Sequence, residues 1–269
     1  MGWVEDSLQL VLATCLPHAC VLCGGEISEI DEQNSERFCT VCHRYLLASR
    51  PVRSCDRCAM PLPAGGQTGS RDDAPDADPA EEARAGCVHC RDDKLAYHHS
   101  FALGTYRGGL REAVILAKQA NRRVVMQALA VMAVKADRQA LLDCRCDLVV
   151  PIPSYWLRRL RRRGTPAQVM AEVFAEQLEL PSRSFLRRTR STRKQGTLSV
   201  TDRRKNVDGS FALNTGYVFR RDNAALRNRH VLLVDDVLTT GATVNAAATA
   251  LRRAGADAVT VAVIARATG

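Results

Sequence analysis

No run of eighteen consecutive apolar residues occurs in this 269-residue chain. That is the length a helix needs to cross a bilayer, so a helical span is excluded and no membrane insertion is expected. Basic residues are missing ahead of the N-terminal apolar run "MGWVEDSLQLVLATCLP", which carries Glu5 and Asp6 instead. An export signal needs the opposite charge, and the segment reads as a short amphipathic helix in a cytoplasmic protein. Acids are scarce between Val150 and His230, six against eighteen Lys and Arg, in a chain of net charge +9. Such a field favours phosphates, nucleic acid or acidic surfaces, besides serving solubility. Large apolar residues are nearly absent from 63–85, "PAGGQTGSRDDAPDADPAEEARA". A stretch of that kind cannot bury enough surface to fold and reads as a disordered insertion. Internal repeats are lacking too, except for a doubled cysteine pattern.

Cysteine is the residue in excess, with eleven copies. Eight form four Cys-x-x-Cys pairs, Cys20/Cys23, Cys39/Cys42, Cys55/Cys58 and Cys87/Cys90, while Cys15, Cys144 and Cys146 stand apart. An odd total without an export signal argues against a disulfide scaffold. A tetrahedral zinc needs four soft ligands, and two such knuckles supply them. Fifteen residues separate Cys23 from Cys39, a usual ribbon spacing, and twenty-eight separate Cys58 from Cys87, which fits once the insertion is looped out. Gly24 and Gly25 suit a tight knuckle turn. The pattern predicts two structural zinc sites held by all eight cysteines; crossed pairing of the first knuckle with the third stays open. His18, His43 and His89 lie nearby, but each set is complete without them. The cysteine-rich region, 1–95, reads as a double zinc-ribbon domain, and 96–269 as a second domain.

From about Tyr97 helical and strand patterns alternate. Leu110, Val114 and Ala117 share a helix face, as do Val124, Ala128 and Val131. "CDLVVPIP" predicts a buried strand ending at Pro151. In "GTPAQVMAEVFAEQLEL", Thr165 is placed to cap a helix and Pro166 to open it, with Val169, Met170, Val173, Phe174 and Leu178 in one stripe. "HVLLVDD" is the clearest strand. "TVNAAATALRRAGA" predicts a helix with Val244, Ala247, Ala248 and Leu251 inward and Gly255 past its end, and "DAVTVAVIAR" a last strand. This alternation implies an α/β fold with a mostly parallel sheet flanked by helices.

The most informative stretch is "VLLVDDVLTTGAT", Val231 to Thr243. Ligands of open parallel sheets sit beyond the carboxyl ends of the strands. Asp235 and Asp236 fall where "VLLV" emerges, and a turn of the chain there is expected to bring both to one ligand. Two adjacent anions need cations or hydroxyl donors, and a sugar diol with magnesium nearby supplies both. Thr239, Thr240, Gly241, Ala242 and Thr243 then form a turn into a helix, offering N–H groups, hydroxyls and the helix dipole to a phosphate. Small side chains let the backbone approach the anion. The unit reads as ribose on the carboxylates and 5-phosphate in the loop.

This stretch resembles the phosphoribosyl pyrophosphate loop of type I phosphoribosyltransferases. Together with the paired cysteines, "YRGGLREAVILAK" from Tyr106, "VVPIP" before "RRLRRRG", and "KQGTLSVTDRRKNVDGSF", it resembles the ComF family, the competence-associated phosphoribosyltransferase-like proteins, over nearly the whole chain. The resemblance implies a type I phosphoribosyltransferase-like sheet behind the double zinc ribbon. It also implies binding of phosphoribosyl pyrophosphate with magnesium, and a role in DNA uptake. The loop after Pro151 contacts pyrophosphate in the resembling enzymes, which brings in Pro151 and Arg163. "RTRSTRKQGTLSVTDRRKNVDGSF" occupies the position of the mobile lid, with Lys194, Gln195, Arg203, Arg204 and Asn206 matching the family pattern. One departure stands out. After Arg163-Gly164 the family usually has Phe-Asn-Gln-Ala, whereas here Thr165, Pro166, Ala167 and Gln168 follow.

Two functional readings stand. As an enzyme, the protein would displace pyrophosphate from C1 of the ribose, with Asp235 and Asp236 favouring the cationic ring and loop donors fixing the phosphate. No residue that activates a nucleophile is recognisable, nor any base-recognition signature. As a binding module, it would hold single-stranded DNA on its basic surface, with Tyr155 and Trp156 either stacking on bases or packing in the core. The sugar-phosphate loop would then be a relic or a regulatory site. A competence helicase or recombination proteins are the partners such a role implies.

Overall fold

The computed structural model describes residues 19–27, 37–63, 86–119, 122–153, 164–189, 209–214 and 226–268. The N-terminal helix, the insertion beyond Pro63, the arginine run 158–163 and the lid-like stretch 190–208 lie outside the described residues.

Four parallel strands make the central sheet: β1 (His99–Thr105), β2 (Leu148–Pro151), β5 (His230–Leu238) and β6 (Ala258–Arg266), in the order β1-β6-β5-β2. β3 (Leu186–Arg188) and β4 (Phe211–Leu213) form a separate antiparallel pair. The helices are α1 (Thr40–Leu47), α2 (Gly108–Ala117), α3 (Arg123–Ala136), α4 (Arg138–Asp143), α5 (Pro166–Leu178) and α6 (Ala242–Arg253). Residues 231–234 of β5 and 261–265 of β6 are apolar runs because helices cover both faces of the sheet. Leu232, Val234, Ala262 and Ile264 pack with α2, α3 and α5; Val231, Leu233, Val259, Val261 and Val263 pack with α6 and the β3–β4 pair.

The predicted stripes of α5 and α6 are buried as expected. On α3 the inward face is turned by one residue. Val125, Leu129 and Met132 are buried, and of the expected face Ala128 is buried while Val124 and Val131 are only partly covered. An almost wholly apolar helix allows either orientation, and contact with α5 decides between them. β1, β3 and β4 were not foreseen. β1 has no clear alternation of apolar and polar residues and takes its place by pairing with β6, from His99↔Thr260 to Thr105↔Arg266.

Thr165 caps α5 as predicted. Its hydroxyl accepts the Gln168 N–H (3.3 Å), and its own N–H donates to Gln168 Oε1 (2.9 Å). Gln168, displaced from the family position, is spent on this reciprocal cap.

The first cysteine unit is built into the main core. Cys20, Phe38, Cys42 and Leu46 share one buried cluster with α2, α3 and α5. Close approach of α1 to α2 requires a glycine: a Cβ on Gly109 would meet the Tyr45 ring at 2.4 Å.

Candidate functional site

The doublet does not end its strand. β5 continues to Leu238, with Asp235 opposite Val263 and Leu238 opposite Arg266. The pleat reverses inside the doublet instead. Val234 and Val237 both face the α2–α3 side, three residues apart, whereas Leu233 and Leu238 face α6. Strict alternation would put Val234 and Val237 on opposite faces. The expected turn is thus a twist within a continuing strand.

Both carboxylates are part-buried. Asp235 Oδ1 accepts the Asp236 N–H at 2.9 Å. Asp236 Oδ2 pairs with Lys118 Nζ at 3.0 Å, from the residue that closes α2. Burial, and then the Asp236 charge, push the Asp235 carboxyl up to about 7; the Asp236 N–H, Lys118 and Arg188 act against that rise. Arg188, on β3, lies over the Phe211 ring at 5.3 Å. Neither Lys118 nor Arg188 had been singled out. Lys118 closes the motif "YRGGLREAVILAK", so its signal was in view; Arg188 sits on a strand the sequence did not reveal.

Pro151 ends β2 opposite Val234, and the Ile152 N–H bonds the Val234 carbonyl at 3.0 Å. This sets Pro151 one strand away from the acidic pair. Thr239 is exposed, and Thr240 through Thr243 are part-exposed. Gly241 caps α6 with φ +78°, where an L side chain is strained. The expected donors of a phosphate loop, the first N–H groups of α6 and the threonine hydroxyls, therefore stand at an accessible helix start. Arg163, Lys194, Gln195 and Arg203, the remaining predicted contacts, lie outside the described residues. A cleft of about 560 Å³ runs along the side of α6, walled by Asp93, Lys94, Phe211, Thr240, Asn245 and Arg253. It touches the loop but not the acidic pair.

The eight paired cysteines form two clusters, Cys20/Cys23/Cys39/Cys42 and Cys55/Cys58/Cys87/Cys90, each with its sulfur atoms within 4.8 Å of one another. Knuckles therefore pair in chain order, and crossed pairing is excluded. Sulfur separations of 3.8 Å (Cys23–Cys39, Cys55–Cys90) and 3.6 Å (Cys58–Cys87) are close to the ~3.8 Å edge of a tetrahedron with Zn–S near 2.3 Å. Thiols this close compete for protons. The Cys58 thiol donates to Cys55 and draws it down to about 4, while the same contact and burial drive Cys58 up. A divalent cation would resolve that conflict. His43 and His89 belong to neither cluster.

The two units share one turn. Gly24 N–H bonds the Cys20 carbonyl at 2.8 Å with φ +76°, and Ala59 N–H bonds the Cys55 carbonyl at 2.8 Å with φ +54°. The duplication seen in the cysteines extends to the backbone.

Residues 165–268 match the model of the phosphoribosyl transferase domain. Over 189 residues the chain is 29% identical to competence protein F of Haemophilus influenzae, covering 67% of this chain and 78% of that protein. Over 230 residues it is 26% identical to the DNA utilization protein YhgH of Escherichia coli strain K12, covering 83% of this chain and 88% of that one. The chain is thus similar to competence-associated proteins, in line with the ComF resemblance of its sequence. Among solved structures, the allosteric regulatory enzyme of purine biosynthesis overlaps 54% of this chain and 26% of its own, with 20% identity and a TM-score of 0.35. That overlap adds nothing to the domain match. The matched domain begins at the Thr165 cap and contains both the acidic doublet and the threonine loop, whereas Lys118 and both cysteine clusters precede it.

Proposed function

We propose that this chain is a ComF protein that binds phosphoribosyl pyrophosphate with magnesium at the carboxyl end of β5 and acts in DNA uptake. One juxtaposition carries the reading: a part-buried acidic pair, held beside a lysine, runs directly into an accessible helix start capped by Gly241. Asp235 and Asp236 receive the ribose diol. The N–H groups of 239–243 and the threonine hydroxyls hold the 5-phosphate. Lys118, paired with Asp236 in the free protein, lies close enough to the doublet to meet the pyrophosphate arm. Magnesium, when bound with the substrate, would neutralise charge on the departing pyrophosphate. Zinc in the two cysteine clusters is structural, because four thiolates leave no open coordination position.

The DNA role draws on what the relatives are named for and on the basic excess of the chain. A positively charged surface binds the phosphates of single-stranded DNA with an affinity that falls steeply as salt rises. Titration of phosphoribosyl pyrophosphate and magnesium against melting temperature tests the loop. A ligand at 100 times its Kd stabilises by about 2.7 kcal/mol, so a clear upward shift is expected, absent in Asp235→Ala. No shift at saturating ligand would reject the site. Pyrophosphate release with candidate acceptors separates an enzyme from a sensor. Salt-dependent DNA binding that survives Asp235→Ala assigns DNA to a different surface.

A further inference from the structure

Arg266, the last residue of β6, is buried at 8% exposure and spans two sites that the sequence separates by some 180 residues. Its Nε donates to the carbonyl of Cys58 at 2.9 Å. Its Nη1 donates to the carbonyls of Leu238 (3.0 Å), Ala267 (2.7 Å) and Thr239. Cys58 belongs to the second cysteine cluster, and Leu238 and Thr239 are the root of the threonine loop. A single planar guanidinium thus grips a metal knuckle and the loop together, which its fork of donors allows and a lysine does not. Its partners among the described residues are all neutral carbonyls. A buried cation needs a counter-charge, and four thiolates around one divalent ion provide a net negative one.

A second tie runs on the helix side of the loop. Asn245, in the first turn of α6, accepts the Ala96 N–H (2.7 Å) and donates to the Lys94 carbonyl (3.2 Å); its own N–H bonds the Gly241 carbonyl (2.8 Å). The segment at Lys94 leaves the fourth knuckle, which Arg57 braces by donating to the carbonyls of Cys90 (3.0 Å) and Asp93 (2.7 Å). The loop is therefore held at both ends by backbone that the second cluster organises.

We propose that the metal in the second cysteine cluster sets the shape of the sugar-phosphate loop, with Arg266 as the positioning residue that couples the two. Loss of that metal, or oxidation of its thiolates, releases the loop and lowers its affinity for a phosphorylated pentose. The affinity part rests on the reading of the loop given above; the mechanical coupling does not.

The full chain, loaded with zinc, is compared with Arg266→Gln, Arg266→Lys, Asn245→Ala, Cys90→Ser and Cys23→Ser. Two readouts are taken: hydrogen exchange at residues 239–243, and the Kd for phosphoribosyl pyrophosphate with magnesium. Amides of β5 and β6 report whether the fold survives. In Arg266→Gln, exchange across the loop should rise tenfold or more and the Kd should rise about tenfold, with two zinc ions per chain retained. Arg266→Lys should keep most of that loss, since charge without the fork cannot hold both carbonyl sets. Cys90→Ser should reproduce the loop effect, and combining it with Arg266→Gln should add little, as coupled residues behave. Cys23→Ser should leave the loop unchanged. Wild-type loop exchange in Cys90→Ser, or losses that simply add, would overturn the proposal. If Arg266→Gln loses the β5 and β6 protection, Arg266→Lys and Asn245→Ala decide by the same criteria. A wild-type protein that ignores the sugar phosphate, yet whose loop loosens in Cys90→Ser, would defeat the proposed ligand and leave the coupling intact.

Discussion

Asp235 owes its raised pKa to crowding: a part-buried carboxyl beside Asp236, with Lys118 and Arg188 opposing the rise but not cancelling it. The folded protein therefore keeps a proton that the unfolded chain releases from about pH 4 upward. Stability contributed by that proton is present at low pH and is lost as pH climbs towards 7. Asp235→Asn removes the burden of the charge. It should melt about 2–4 °C higher than the parent at pH 8, equivalent to about 1 kcal/mol in a protein of this size, and show little gain at pH 4. Thermal melts at the two pH values check this, and a pH-independent difference would contradict it. The same variant should lose the melting shift caused by phosphoribosyl pyrophosphate, so a more stable protein would be a worse binder. The acidic doublet was legible in the sequence because two like charges after an aliphatic run are hard to explain otherwise. Lys118 was legible only as part of a motif, since nothing local says that the end of α2 reaches β5.

At the scale of elements, α5 illustrates a residue whose role changed with its position. Gln168 stands one residue past the position of the glutamine in the resembling family, and its side chain is committed to the Thr165 backbone. Thr165→Ala should cost about 1 kcal/mol and lower the melting temperature by ~2–4 °C. Gln168→Ala should also destabilise, by less. Neither should change the stabilisation produced by phosphoribosyl pyrophosphate, and a selective loss of that response in Gln168→Ala would return the residue to the binding site. The cap was readable from Thr165 and Pro166 because capping is local, whereas the reciprocal bond of Gln168 emerged only in the structure. The strands β1, β3 and β4 were not, because segments without a clear alternation of apolar and polar residues become strands only when a partner edge is offered. β3 and β4 need each other, and β1 needs β6.

Over the whole molecule, the cysteine clusters are parts of the fold rather than appendages. The first contributes Cys20 and Cys42 to the same buried cluster as α2, α3 and α5, and the second holds the carbonyl gripped by Arg266. Metal analysis should give two zinc ions per chain. Their removal by a strong chelator should lower the melting temperature by more than about 5 °C, because metal-binding free energy is folding free energy in such sites. Readdition of zinc should restore it, and a melt indifferent to chelation would refute the structural role. The sequence by itself determined the α/β alternation, the capped helix α5, the strands β5 and β6, the order of acidic doublet and small-residue loop, and the cysteine content of the two clusters. All of these are carried by local periodicity, local capping or contiguous spacing. Tertiary structure alone decided which knuckles pair, which face of α3 turns inward, that the pleat reverses inside the doublet, and that Lys118 arrives at the doublet and Arg266 at the loop from other parts of the chain. Those outcomes depend on contacts between segments far apart in sequence, where the energy of packing and of buried charge is settled only after the elements have met.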